Sequence, residues 1–171
     1  MQTTFTNGLS VSFKGKAAVA GFPAYVANGG VRTVGGTIAA ENANTAYFGY
    51  AVFAVAADPS KFFIGDAAVT INGSSVTPSL FRGILLNRPM VNEQFPAHAD
   101  FALNQTPADA FYQGAIWVKL KDASVTIGSS VYSTSTGELT VTSTGNTAIN
   151  AKVKEYDADT GLHLIYLDGQ F

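Results

Sequence analysis

No stretch of this 171-residue chain carries an apolar period of helical spacing over three turns. What recurs instead is a short run of β-formers followed by a glycine. The segment VTIGSSVYSTSTGELTVTSTG, Val125 to Gly145, shows the rhythm: Val125, Ile127, Val131, Tyr132 and Leu139 favour strands, and Gly128, Gly137 and Gly145 cut them at turn spacing. Its Ser133-Thr134-Ser135-Thr136-Gly137 run offers hydroxyls that bond local backbone and a glycine for positive φ, as a hairpin loop requires. One glutamate is its only charge, so it is strand and turn without chemistry.

The same grammar extends along the chain. Tyr47 to Ala56 reads as one strand buried on both faces, and the Ala56 to Lys61 segment reads as a turn. Two or three strands follow around Asn72-Gly73, a strong hairpin dipeptide. Ile116, Val118 and Leu120 alternate with Trp117, Lys119 and Lys121, and a last hairpin is expected around Asp157 to Gly161. Asn87 to Pro107 holds three prolines and no period, which predicts an exposed excursion with one short strand at Ala99 to Leu103. One short helix is expected over 106–113, with Thr106 as cap and Pro107 in the first turn. Glycine, an aromatic, an Asp turn and Ile-Gly recur at Gly49 to Val69 and Gly114 to Val131, which we read as repeated hairpin grammar rather than duplication. Turn counting gives about ten strands in an all-β fold, a single β-barrel or β-sandwich domain with an extended N-terminal arm and long loops.

The arm is residues 1–16 and the β-rich domain is 17–171. Leu9, Val11 and Phe13 alternate, so one face of this stretch can be buried, yet with Phe5 they are too sparse to drive packing alone. The segment is either an ordinary first strand or an arm laid on another protein. The second reading makes Phe5, Leu9, Val11 and Phe13 the candidate interface.

Charged residues make up 13% of the chain and hydrophobic ones 47%, against a usual charged share of about 25%. A surface covered by Ser, Thr, Asn and Ala resists association poorly, which suggests that partners occlude part of it. A net charge of −2, with ten basic residues scattered from Lys14 to Lys154, argues against nucleic acid. The apolar run Ala46 to Ala57 is too short for the roughly 20 residues of a bilayer-spanning helix, so no membrane is expected. The opening residues lack the basic start and apolar core of a signal peptide, and there is no cysteine.

Candidate chemistry is thin. The two histidines, His98 and His163, lie in no recognisable nucleophile motif. Asp58, Asp66, Asp122, Asp157 and Asp159 stand beside turns, where aspartate bonds local backbone. Asp157-Ala158-Asp159-Thr160-Gly161 resembles the start of a calcium loop, but Gly161 and Leu162 break that pattern. Asn72-Gly-Ser and Asn104-Gln-Thr are formal glycosylation sequons, read as chance matches without a leader. Phe48, Tyr50, Phe53, Trp117 and Tyr132 suit a core better than a carbohydrate platform. We expect no enzyme, no cofactor and no metal.

The segments YFGYAVFAV, FRGILL, YQGAIWVKL and VTIGSSVYSTSTGELT, within Tyr47 to Leu167, together resemble structural cement, or head decoration, proteins of tailed bacteriophages. The resemblance lies in strand and turn grammar. It implies a virion protein, assembled in the host cytoplasm, that docks on the outer capsid surface, commonly as a homotrimer. Its partner would be the major capsid protein, and its work would be to stabilise the shell against packaged DNA. The alternative is a carbohydrate- or receptor-binding β-domain of a tail fibre or similar appendage, which needs an exposed aromatic cluster.

Overall fold

The computed structural model describes residues 20–21, 23–24, 32–87 and 101–169. The strands are β1 (Pro23–Ala24), β2 (Arg32–Ile38), β3 (Ala46–Tyr47), β4 (Ala51–Val55), β5 (Asp58–Ile64), β6 (Val69–Ile71) and β7 (Ser74–Val76). They continue with β8 (Leu80–Leu85), β9 (Phe101–Ala102), β10 (Pro107–Val118), β11 (Ser130–Ser133), β12 (Leu139–Thr140), β13 (Thr147–Asp157) and β14 (Leu162–Asp168). Ten of them form one sheet, and β3–β9 and β6–β7 form two small pairs. The all-β expectation holds, and the architecture is barrel-like rather than a sandwich.

The large sheet closes on itself. β10 pairs β2, β2 pairs β5 in parallel, and β5, β4 and β8 pair in turn before β8 returns to β10 through Ala110↔Leu85 and Phe111↔Ile84. This is a ring of five strands. The remaining strands run β10–β14–β13–β11–β12, and the far end comes back as an isolated bridge between Leu139 and Leu120, just beyond β10. The Lys121 N–H donates to the Leu139 carbonyl at 2.8 Å across that closure.

β10 is therefore a stave of both rings. Ala108 and Ala110 point into the first ring with Val34, Ile38, Val52, Phe62, Ile64 and Leu85. Phe111 points the other way, and so do Ile116 and Val118, although strict alternation would set odd and even positions on opposite faces. A register shift between Phe111 and Gln113 supplies the extra residue that reverses the parity. The second core gathers Ile116, Val118, Val131, Leu139, Ile149, Val153, Ile165 and Leu167, and Phe53, Ile84 and Phe111 from the outside of the first ring pack into the same cluster. Burying such side chains contributes about 1.5–3 kcal/mol each, which makes this shared cluster the main bond between the rings.

Three local expectations fail. The turn expected over Ala56 to Lys61 is confined to residues 56–57, because Val55 already pairs with Asp58 and Asp58–Ile64 is β5. Tyr47 to Ala56 is not one strand: the chain turns between β3 and β4 at Gly49, whose φ of 89° suits glycine, and the Gly49 N–H donates to the Leu85 carbonyl at 2.9 Å. Both-face burial does hold for Ala51 to Ala54. The helix expected over 106–113 is the start of β10 instead. Pro107 takes the first strand position, where a missing N–H is tolerated, and ladders on both edges of Ala110 and Phe111 outweigh a local cap signal. Hairpins stand at Asn72-Gly73 and at Asp157 to Gly161 as expected, and β9 falls within 99–103. Residues 1–16, with Phe5, Leu9, Val11 and Phe13, and His98 in the excursion lie outside the described residues.

Candidate functional site

The chemically poor Ser133 to Gly137 loop joins the two rings. It turns tightly, with the Gly137 N–H donating to the Thr134 carbonyl at 2.9 Å, and it docks between the ends of β4 and β5. There the Ala51 N–H donates to the Gly137 carbonyl at 2.8 Å and the Ala67 N–H to the Ser135 carbonyl at 3.2 Å. The Thr147 hydroxyl bonds the Asp66 carboxylate beside it. Gly65, at φ 76°, lies so close beneath the loop that any Cβ would collide with the Ser135 carbonyl. A segment without reactive groups thus supplies backbone acceptors that hold one ring to the other.

Each ring end is tied by polar groups. At the first, Asn42 is 7% exposed and fully engaged: its Oδ1 accepts the Ile64 N–H at 3.0 Å, and its Nδ2 donates to the Asn44 carbonyl at 2.6 Å and to Asn104 Oδ1 at 3.2 Å. Asn104 Nδ2 answers by donating to the Asn42 carbonyl at 2.9 Å. At the second, Asp122 accepts the Val141 N–H at 2.8 Å and the Thr142 hydroxyl at 3.2 Å. Burial of that carboxyl opposes ionisation, but the hydrogen bonds outweigh it and hold the pKa below the ordinary aspartate value. His163 sits on the same inward face of β14 as Ile165, opposite Val118 and Tyr156, with its ring 4.8 Å from that of Tyr156. Its Nδ1 is buried without a partner. Burial pushes its pKa down, and the Asp122 charge pulls more weakly the other way.

Asn42, Asn104 and Asp122 bond backbone groups across the chain and so tie the fold. Among the described residues no three His, Asp or Glu side chains gather where they could hold a metal. Phe48 and Phe53 lie in the two separate cores, while Tyr50, Trp117 and Tyr132 are half-buried. These five do not make an exposed platform. A smaller group does reach solvent: Tyr47, 41% exposed, lies 5.3 Å from the Tyr50 ring and 5.9 Å from the Phe101 ring. The Asn42–Asn104 clasp was missed by sequence reasoning. Both residues belong to turn-forming runs, a usable local signal, but nothing local pairs them.

The feature that most resembles a contact surface is the β6–β7 hairpin. The pairing Val69↔Val76 and Ile71↔Ser74 puts Val69, Ile71 and Val76 on one face, all half-exposed. Among the described residues neither strand pairs with any other. An isolated hairpin is marginal in water, and bare edges are usually guarded by charge. Here no charged residue stands between Asp66 and Arg82.

Comparison with known proteins then settles the family. The family profile of structural cement proteins (E217 gp24/Pam3 gp6) matches residues 11–168. The chain belongs to the structural cement protein family. The fold of this cement protein is shared by a chain in a solved structure, the capsid of Myoviridae phage XM1, with a TM-score of 0.62 at 16% identity over 88% of this chain and 89% of that one. No curated protein matches the cement protein. It is a structural protein of a phage virion that binds capsid protein and stabilises the capsid, and nothing in the comparisons points to a tail fibre.

Proposed function

We propose that the cement protein docks on the outer surface of the assembled capsid, in the host cytoplasm, as a closed homotrimer, and that it catalyses no reaction. Its contribution is contact area across neighbouring capsid subunits. The observation that carries this reading is the uncharged stretch between Asp66 and Arg82, which includes a hairpin with an apolar face and, among the described residues, no further strand on either edge. Closed symmetry satisfies such sticky surfaces without open-ended growth. Residues 1–16 act as the attachment arm, with Phe5, Leu9, Val11 and Phe13 as its buried side. An arm that orders on docking loses its conformational entropy only then, so its removal should affect binding and spare stability.

The test is to mix purified protein with undecorated capsids of the same phage and image them. Trimers on the outer surface are expected, and deletion of 1–16 should leave the thermal midpoint nearly unchanged while occupancy falls strongly. Strict monomers both by light scattering and on capsids would overturn the trimer. Early unfolding of the truncated chain, or full coating by it, would return the segment to an ordinary first strand.

A further inference from the structure

The outward face of the second ring carries a hollow created by the register of its strands. Val131 pairs with Ala151 and the next residue, Tyr132, with Ala148, so one step on β11 spans three on β13. Of the two surplus residues Ile149 turns into the core at 2% exposure, and Asn150 sits outside at φ 50°. The interrupted ladder leaves a cavity of about 220 Å³, lined by Tyr132, Ala148, Asn150, Lys152, Lys154 and Tyr166. That volume falls below the roughly 300–1,000 Å³ of small-molecule sites. It suits a side chain or two of a docked protein better than a free metabolite.

Charge says which side chain. Lys152 and Lys154 are successive outward residues of β13, both exposed, and neither joins an ion pair among the described residues. Lys154 Nζ lies 5.9 Å from the Tyr166 ring centroid, which keeps the ammonium beside the hollow. Among the described residues Asp168 is the only carboxylate in the lining, so this patch is positive on a chain of net charge −2. Two lysines fall well short of the roughly 6–10 phosphate contacts of a nucleic-acid site. They do match one or two carboxylates, and the flanking tyrosines give an extended chain apolar surface to lie on.

We propose that this hollow seats an acidic segment of the capsid subunit, an aspartate or glutamate side chain entering between Lys152 and Lys154 while its neighbours lie on Tyr132 and Tyr166. The inference rests on the cement reading, because it names the capsid as the partner.

The experiment titrates undecorated capsids of the same phage with the intact protein, with Lys152→Glu/Lys154→Glu, with Lys152→Gln/Lys154→Gln and with Lys152→Arg/Lys154→Arg, at low and high salt. Thermal midpoint and solution mass are followed in parallel. Because both lysines are exposed, all variants should keep the parent midpoint. The Glu pair should bind capsids about tenfold more weakly or worse, the Gln pair should show a smaller loss, and the Arg pair should stay close to the parent. High salt should narrow the gap between parent and Glu pair. Equal coating by the parent and by both neutral and acidic pairs would overturn the proposal. So would a change in solution mass that accounts for the whole loss, since the hollow would then join copies of this chain. Failure of the parent itself to coat capsids would instead sink the cement reading, and this inference with it.

Discussion

The two rings solve one problem, closing a small sheet around a core, with opposite materials. The first is filled by Phe62, Ile64, Ile38 and Leu85, and its end is tied by Asn42 and Asn104, which have no proton to gain or lose in the accessible range. The second is filled mainly by aliphatic residues with Phe53 and Phe111 packed against them, closed among the described residues by the Leu120–Leu139 bridge, and tied near its end by Asp122, with His163 buried beside it, both of which titrate. A neutral clasp gives a closure indifferent to pH. An ionisable one makes its ring answer to acid. The two nevertheless share one strand and one cluster, so the question is how far either can yield alone.

The sharpest way to break the comparison is Phe111→Ala. Phe111 is fully buried where the first ring packs against the second, and such truncations cost about 3–5 kcal/mol. A single cooperative unit should show one transition at a lower midpoint by calorimetry; two separated transitions would mean that the rings unfold independently. Asn42→Ala is the next largest effect. It leaves the Ile64 N–H without its acceptor and the Asn104 Oδ1 without the Asn42 donor, while the Asn104 Nδ2 keeps its bond to the Asn42 backbone carbonyl, and should cost about 1–3 kcal/mol. Hydrogen exchange should quicken at Ile64 well before it does in β13 and β14, and equal quickening in both would erase the distinction between the ends.

The smallest effect is the pH response. The folded pKa of His163 is depressed, so on acidification the unfolded chain takes up the proton first. Its contribution is complete above the unfolded value, about 6.5, and is lost as pH falls from there through the folded value. Asp122 acts in the same direction lower down: its stabilisation is present above about pH 4 and lost as pH falls through its depressed folded value. Denaturant midpoints should therefore decline gently below about pH 6.5, and His163→Phe should flatten that upper part of the decline. A profile unchanged by the substitution would show that His163 does not set it.

What the sequence made legible was local. Asn72-Gly73 and Asp157 to Gly161 turn the chain with their own atoms, as in the 2.8 Å bond from the Gly161 N–H to the Asp157 carbonyl, and Ile116, Val118 and Leu120 alternate within one short span. The closures were not legible. Ala110 meets Leu85, Thr37 meets Lys61 and Leu120 meets Leu139 through backbone groups that carry no sequence signature. The repeated Ile-Gly pair illustrates the limit: Ile64 is buried inside β5, whereas Ile127 stands in a loop and is 65% exposed. Similar letters there meet different neighbours. The failed helix over 106–113 has the same cause, since a cap and a proline are visible along the chain and two flanking strands are not.

The strand common to both rings also sets an order of events during synthesis. β10 follows β2, β4, β5 and β8 in the chain, so the first ring holds four strands of its circuit before the fifth leaves the ribosome. The second must wait longer, until β14 arrives to pair with Gln113 to Val118. Chains governed by such distant pairings fold slowly, in about milliseconds to seconds, and expose apolar edges meanwhile. Residues 107–118 are thus the point at which a nascent, aggregation-prone set of strands becomes a closed body.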